Sequence, residues 1–479
     1  MTTDPASRPH LRLPIASLGI TALLALAAAA HAEPSRAEVL ATMKQAAVFF
    51  RTKAAVHGGY VYYYSPDLSR RLGEGKASPS QVWVQPPGTP AVGLAYLRAF
   101  EATGDAFYLD AAREAAEALV YGQLASGGWM NSIDFAAPGK HTGKYRNGKG
   151  GSWDFSSLDD GITQTALRCI MQVDRALKFE HRAIHEASES ARTALLAAQF
   201  EHGAFPQGWT GPVTGAKAVP ASFPDYDWKT ENRIKDYWNL PTLNDDLCGY
   251  AARALLDAWE IYKDERCRSA LVKLAGFLLL AQLPEPQPGW AQQYDLRMRP
   301  VWARKFEPPA LAGRETQDAI ETLLLVHRLT GDAKYLAPIP RAIGWLKRSL
   351  LPDGRLARYY ELRTNTPLYM TADYQLTHDD SDVPQHYGWK TEPRLAGIEQ
   401  AFAAANQGAP APGAPAPKDL PPLAEILRTL DAEGRWISTF EETQQLVGHP
   451  KFTPGERYIA SAVFCRNLEA LAAHLVPRR

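Results

Sequence analysis

Three tryptophans, Trp129, Trp209 and Trp290, stand 80 and 81 residues apart, each closing a Gly-containing loop that follows a helical run. Near-constant spacing of this size is the mark of a helical repeat, and it leaves few folds open. Each unit reads as two helices: 91–103 with 106–124, 162–178 with 181–200, 243–263 with 267–283, and 314–330 with a run to 351. In the first three units the second helix ends in a glutamine, Gln123, Gln199 or Gln282. Apolar residues recur at three- and four-residue steps, as in Leu94, Leu97, Ala99 and Phe100, or Leu255, Leu256, Trp259 and Tyr262, so each helix buries one face. Thr-Gly-Asp occurs at 103–105 and again at 330–332, where Gly takes the left-handed position that ends a helix and Asp caps the next. Hairpins stacked side by side bury both open edges by closing into a ring or by ending in caps. The expected fold class is therefore all-α, an α/α toroid of repeated helical hairpins. The irregular stretches 131–154, 210–239 and 355–390 are too long for ordinary links and are expected to line a cleft on one face.

The remaining chain divides by composition. Arg8 and Arg12, an apolar run from Ile15 to Ala30 and Ala30-His31-Ala32 give residues 1–32 the form of a signal peptide, so the protein is expected to be exported, to the periplasm or beyond the cell. Residues 33–407 form the toroid, 408–419 (GAPAPGAPAPKD) a Pro/Ala-rich linker or loop, and 420–479 a C-terminal helical segment that either caps the ring or closes it. No later apolar run approaches the ~20 residues of a membrane span. Lys plus Arg and Asp plus Glu both number 52, so no net field recruits nucleic acid or an anionic membrane. The expected state is a monomer. Four cysteines, Cys169, Cys248, Cys267 and Cys465, lack zinc-ligand spacing and read as buried small residues with at most one bridge.

The densest chemistry lies between Pro288 and Gln317, with Trp290, Trp302, Gln292, Gln293, Tyr294, Arg297, Arg299, Arg304, Lys305 and Arg314 between two helical runs. Aromatic faces beside amides and guanidinium forks suit an acidic sugar polymer: rings stack, hydroxyls pair with amides, and carboxylates pair bidentately with arginine. An ordinary connector with solvated charges is the alternative. Two acidic pairs, Asp159-Asp160 and Asp245-Asp246, open the first helices of successive units. They read either as helix caps or as carboxylates sharing a hard cation such as calcium across one cleft.

Taken in order, SLDDGITQT (157–165), GAFPQGW (203–209), TLNDD (242–246), GWAQQYD (289–295), ARKFEPPA (303–310) and TNTPLY (364–369) resemble the motif series of the pectate lyases whose catalytic module is an all-helical toroid, over roughly residues 85–395. The resemblance implies calcium-assisted β-elimination on polygalacturonate, with pectate or oligogalacturonates as partner. It implies that Asp159, Asp245 and Asp246 hold Ca2+ together with the substrate carboxylate. It further implies that Arg304 binds a substrate carboxylate beside a platform of Trp290, Gln292, Gln293 and Tyr294, with Trp209, Lys305 and Arg314 completing the substrate-binding set. At one place the chain departs from the series. The family's base is an arginine shortly after the segment resembling TNTPLY, and here Ala372 stands there. Either Arg304 or Arg363 substitutes as the catalytic base, or the chain binds uronate polysaccharide with little turnover, or the alignment slips at this point. A glycoside hydrolase on the same architecture, using Asp159 and Asp245 as its carboxylate pair, is a further alternative. Downstream, His378, Asp379, Asp380, Asp382 and His386 read as solvated loop charges or, less simply, as a metal site.

Overall fold

The computed structural model describes residues 34–136, 138–216, 218–230, 234–410 and 420–476; the expected signal peptide and most of the Pro/Ala-rich stretch lie outside them. The first helix, α1 (Arg36–Phe49), opens on a reciprocal capping box in which the Ser35 side chain accepts from the Glu38 amide and the Glu38 carboxylate accepts from the Ser35 amide. Hairpins follow: α2 (Thr89–Thr103) with α3 (Ala106–Gly122), α4 (Ile162–Ala176) with α5 (Arg182–Ala197), α6 (Leu247–Tyr262) with α7 (Glu265–Ala281), and α8 (Gly313–Thr330) with α9 (Ile339–Arg348). Then come α10 (Leu395–Asn406), α11 (Leu423–Thr429) and α12 (Ser461–Leu475). The Thr-Gly-Asp turns behave as expected. Gly104 (φ 71°) and Gly331 (φ 69°) end α2 and α8 in the left-handed region, and Asp105 accepts from the Phe107 amide at 2.9 Å to start α3. The fourth hairpin differs: Pro338 and Pro340 confine its second helix to Ile339–Arg348 behind a single turn at Ala333–Tyr335, because proline cannot donate inside a helix.

The protein is an α/α toroid. Helices α12, α2, α4, α6, α8 and α10 pack side by side in that order on the inside, while α3, α5 and α7 neighbour one another behind them. The segment 420–476 thus belongs to the first unit rather than lying apart from it. Strand Arg457–Ala460 pairs with Tyr63–Tyr64, and α12 packs on both α1 and α2. What helical periodicity does not reveal is a set of short antiparallel ladders in the long connectors, such as Ser156–Ser157 on Gly208–Trp209 and Leu311–Ala312 on Tyr359–Tyr360 on Pro367–Met370. They hold the loops down over the amino-terminal ends of α4, α6 and α8.

The repeat is real, but its register is not that of the evenly spaced tryptophans. The amides of Leu124, Phe200 and Leu283 donate to the carbonyls of Gly128, Ala204 and Gly289, which aligns Trp129 and Trp290 with Phe205. Trp209 lies beyond that position. Trp129 and Trp290 make matching bonds: Nε1 donates to Leu119 or Leu278 at 2.8 Å, and the backbone amide donates to Thr163 or Thr316 at 3.0 Å. The three glutamines are the more faithful markers. Gln123 and Gln199 each donate through Nε2 to the loop carbonyl four residues on and to a carbonyl of the next outer helix, Ala187 or Ala270, all at 2.9 Å. Gln282 makes the same bridge from Pro288 to Pro338. One amide side chain thereby closes its own loop and joins adjacent units.

Candidate active site

Two turns of the same build open α4 and α6 and touch each other: Asp159–Gly161 and Asn244–Asp246. Asp160 (φ 46°) and Asp245 (φ 53°) hold equivalent left-handed positions in them, a conformation aspartate tolerates better than most residues. The next residue is left-handed as well, Gly161 (φ 71°) in one turn and Asp246 (φ 59°) in the other. A Cβ at Gly161 would lie 2.9 Å from the Tyr250 ring, so that turn accepts glycine alone. Both turns sit at helix amino termini, where the dipole favours carboxylates.

Three arginines converge on these carboxylates. Arg304 rises from a tight loop in which its own amide donates to Glu307 at 2.9 Å; its fork donates to Glu307 at 3.0 Å and to Asp159 at 2.8 Å. Arg314, in the first turn of α8, donates to Asp245 at 2.7 Å. Arg358, between the strands 356–357 and 359–360, donates to Asn244 at 2.8 Å and Asp245 at 3.2 Å, and lies 3.5 Å from Glu315. The electrostatics are uneven. Burial opposes ionisation of Asp245, but Arg358 and Arg314 reverse that and hold its carboxyl below the usual range. Burial raises Asp159 against the pull of Arg304. Asp160 accepts from the Gln85 amide at 2.9 Å; burial, together with the charges of Asp245 and Asp159, pushes it up to about 8 against the weaker pull of Arg314. Burial alone would ease deprotonation of the arginines, yet carboxylate neighbours keep Arg304 and Arg314 above the ordinary arginine value, and Tyr387 with Glu315 does the same for Arg358.

The donor set suits calcium in part. Hard carboxylate oxygens from two adjacent turns face each other, and Asp159 Oδ1 is buried without a hydrogen-bond partner. Among the described residues, no three acidic, His or Cys side chains already form a closed cage. Asp159, Asp160 and Asp245 would accordingly supply part of a shell that a substrate carboxylate and water complete. Asp246 does not join them. Its carboxylate pairs with Arg253 on α6, and the neighbouring acids that feel its charge are Asp318 and Glu321 of α8.

The expected platform lies elsewhere than supposed. Trp290 and Tyr294 are fully buried, Trp209 is 3% exposed, and Trp209 Nε1 donates to the Ser126 carbonyl. None of the three offers a face to a sugar. Gln292 and Gln293 are also buried: Gln292 accepts from the Tyr359 hydroxyl, and Gln293 donates to the Tyr237 carbonyl. They position the loops behind Arg304 instead of meeting solvent. Replacing Trp290 with Phe is accordingly expected to lower stability by about 1–3 kcal/mol in chemical denaturation, through lost packing and a lost buried hydrogen bond. Arg363 is separate too. It lies against the Phe223 ring at 5.0 Å and donates to the Pro224 carbonyl at 3.4 Å, so its contacts are with the 223–224 loop rather than the carboxylate turns. Lys305 is exposed, with its ammonium 3.5 Å from the Tyr374 ring centre. Ala372 is exposed in the turn 371–375 that carries that ring. The downstream acids and histidines take separate partners: His378 meets Glu361 at 3.2 Å, Asp380 meets Lys390 at 2.5 Å, and His386 packs on Phe306.

The aromatic surface beside the carboxylates is built by Trp153, Phe155, Tyr237 and Trp238, which with Ser157, Asp159, Gln207 and Arg304 line a pocket of about 250 Å³. The four aromatics, with Arg358, Glu307 and Gln85, are the ones sequence reasoning missed. Arg358 had a signal, since it stands just upstream of the TNTPLY segment. Trp153 and Trp238 had none beyond their place in the long connectors.

Residues 123–356 match the family model described as pectic acid lyase. The match makes this region similar to the pectic acid lyase family. The span is narrower than the 85–395 over which the motifs were read, and it holds both acidic turns, Arg304 and Arg314. No curated protein matches the chain in sequence. Among solved structures, the family 10 polysaccharide lyase from Cellvibrio cellulosa is similar at 19% identity, covering 67% of this chain and 97% of that one, with a TM-score of 0.47. A mutant of that lyase in complex with trigalacturonic acid aligns at 17% identity, 67% and 98% coverage and the same score. A cellobiose 2-epimerase from Spirochaeta thermophila aligns at 16% identity over 73% of this chain and 76% of that one, with a TM-score of 0.44.

Proposed function

We propose that the protein is an exported lyase that cleaves polygalacturonate or a related acidic pectic polysaccharide by β-elimination with calcium. The observation that supports this most is the junction of the two acidic turns with Arg304, Arg314 and Arg358. It offers guanidinium donors for a uronate carboxylate beside carboxylates for a cation, the pairing that β-elimination next to a uronate needs. Calcium, when bound, withdraws charge from the uronate carboxylate and acidifies the C5 proton. Arg304 holds the substrate carboxylate, Glu307 and Asp159 fix the plane of its fork, and Arg358 and Arg314 keep Asp245 charged. The N-terminal leader pattern supports export.

A second reading is favoured by one observation. The acidic neighbours of all three arginines favour their protonated form, carboxylates around Arg304 and Arg314 and Tyr387 with Glu315 around Arg358, and Arg363 contacts the 223–224 loop, so none is suited to remove the C5 proton. On that reading the toroid binds uronate polysaccharide and turns it over slowly. One assay separates the readings: absorbance of unsaturated uronide from polygalacturonate, with calcium and with chelator. A lyase gives calcium-dependent product. A slow binder retains oligogalacturonate in equilibrium dialysis with product formation near background. Reducing ends released without the unsaturated chromophore would instead show a hydrolase and overturn both.

A further inference from the structure

The connector 138–151 carries Lys140, His141, Lys144, Arg146 and Lys149 and no acidic residue, in a chain whose charges balance overall. All five are exposed. The connector is built rather than loose. The Arg146 amide donates to the Gln123 carbonyl at 2.7 Å, the Ala125 amide donates to the Lys144 carbonyl at 2.8 Å, and the hydroxyl of the buried Tyr145 accepts from the Asp134 amide at 2.9 Å. It doubles back closely, since a Cβ at Gly150 would lie 1.8 Å from the Gly143 carbonyl oxygen. It also lies on the face of the ring that carries the site. Gln123 follows the carboxyl end of α3, which returns along α2 to the end where Gln85 meets Asp160. The Lys144 amide donates to the Trp153 carbonyl at 2.6 Å, and Trp153, 61% exposed, stands at the edge of the pocket that holds Asp159 and Arg304. From there the cations lead outward. Lys144 Nζ lies 3.9 Å from Asp154. Arg146 lines an open groove of about 520 Å³ with Glu117, Tyr121, Asn147 and His181, beside the outer helices α3 and α5, and the Lys149 ammonium stands 6.0 Å from the Tyr121 ring centre.

Resting on the function proposed above, we infer that this basic connector and its groove hold the flank of the polymer, the uronates beyond the one at Arg304. A pocket of about 250 Å³ encloses only a short stretch of a polysaccharide, so the rest lies on the surface. Each further galacturonate brings one carboxylate, and these meet Lys144, then Arg146 and Lys149, where all the groups stay in water. Exposed ion pairs are individually weak, but along one polymer they reinforce each other, because binding of one sugar raises the local concentration of the next. The same strip attracts a polyanion before contact, an effect that salt suppresses. Long polygalacturonate is thereby preferred to oligomers, through residues that take no part in the chemistry.

The test is calorimetric titration of the full chain with trigalacturonate and with long polygalacturonate, in chelator so that no elimination proceeds, at low and at raised ionic strength. Wild type is compared with the combined variant Lys144→Gln, Arg146→Gln, Lys149→Gln. A control variant, Lys178→Gln, Lys263→Gln, Lys334→Gln, removes the same charge from exposed positions just past the carboxyl ends of α4, α6 and α8, away from the site. The expected result is a loss of roughly tenfold in affinity for the long polymer in the connector variant at low salt, shrinking as salt rises, with trigalacturonate unaffected and the control variant like wild type. An unchanged affinity for the polymer, or an equal loss in the control variant, overturns the inference. Equally tight binding of double-stranded DNA by wild type would show a general polyanion surface and overturn it as well. A connector-specific loss in a protein that forms no unsaturated product even with calcium refutes lyase activity and upholds this surface. Failure of wild type to bind either ligand, with calcium or without, refutes the two together.

Discussion

Replacing Ala372 with arginine is expected to raise the rate of unsaturated uronide formation from polygalacturonate by on the order of 100-fold, the low end of what a positioned proton-transfer group contributes. The place can receive the side chain. Ala372 is exposed, and its turn is fixed by bonds between Thr371 and Gln375 and between Thr371 and Tyr374. Tyr374 in that turn covers Lys305, next to Arg304, and Phe306 packs on both Tyr374 and Tyr387. An arginine at 372 would therefore enter beside the Arg304–Glu307 loop, in a turn whose Ala372 amide donates to Asp382 at 3.4 Å. The change should act on kcat, with KM little altered, because the uronate is already held by Arg304. A wild type that is already fully active, with no gain in Ala372→Arg, would show that another residue removes the proton.

Arg358→Ala is expected to cost about 3–5 kcal/mol of stability, read from the midpoint of guanidinium denaturation. The Arg358 side chain is 8% exposed and answers Asp245 and Glu315, whose own side chains are 15% and 0% exposed. Its removal takes the guanidinium from the buried Glu315 carboxylate and leaves Asp245 with Arg314 alone. Glu315→Gln in the Arg358→Ala background should restore part of the loss, since one of those charges is then gone. A loss below about 1 kcal/mol would mean that water or a cation enters and replaces the guanidinium. The same substitution should weaken oligogalacturonate binding, because Asp245 is positioned through Arg358 and Arg314.

How far sequence could reach follows from which physical signal each feature leaves. Helical hairpins leave apolar stripes and Thr-Gly-Asp punctuation, and the toroid was legible from both. The tryptophan spacing pointed to the right architecture through the wrong alignment, because Phe205 fills the core place of Trp129 and Trp290 while Trp209 sits further along. The glutamines carry the true register. An aromatic residue near amides and arginines reads the same whether it faces a sugar or a core, and only burial tells Trp290 from Trp153. The Asp pairs were found, yet their division was not: two consecutive left-handed residues turn Asp245 toward the Asp159 turn and Asp246 toward Arg253, a rotation that leaves no trace in composition. Arg358 was overlooked because a lone arginine in a connector is ordinary until its carboxylates are seen.

The meeting of α12 with α1 and α2 bears on how the chain comes to be folded. Ser461 donates to the Val61 carbonyl, and Arg36 to the Leu475 carbonyl, across 400 and 439 residues of sequence. A polypeptide emerging amino end first must keep its opening helix and strand without their partners until almost everything else has been made. Contacts so distant along the chain slow folding, since a large loop has to close before any of them rewards it. Under the export proposed above, such delay would favour passage through a translocation pore as an unfolded thread, with the wheel locking only once α12 arrives.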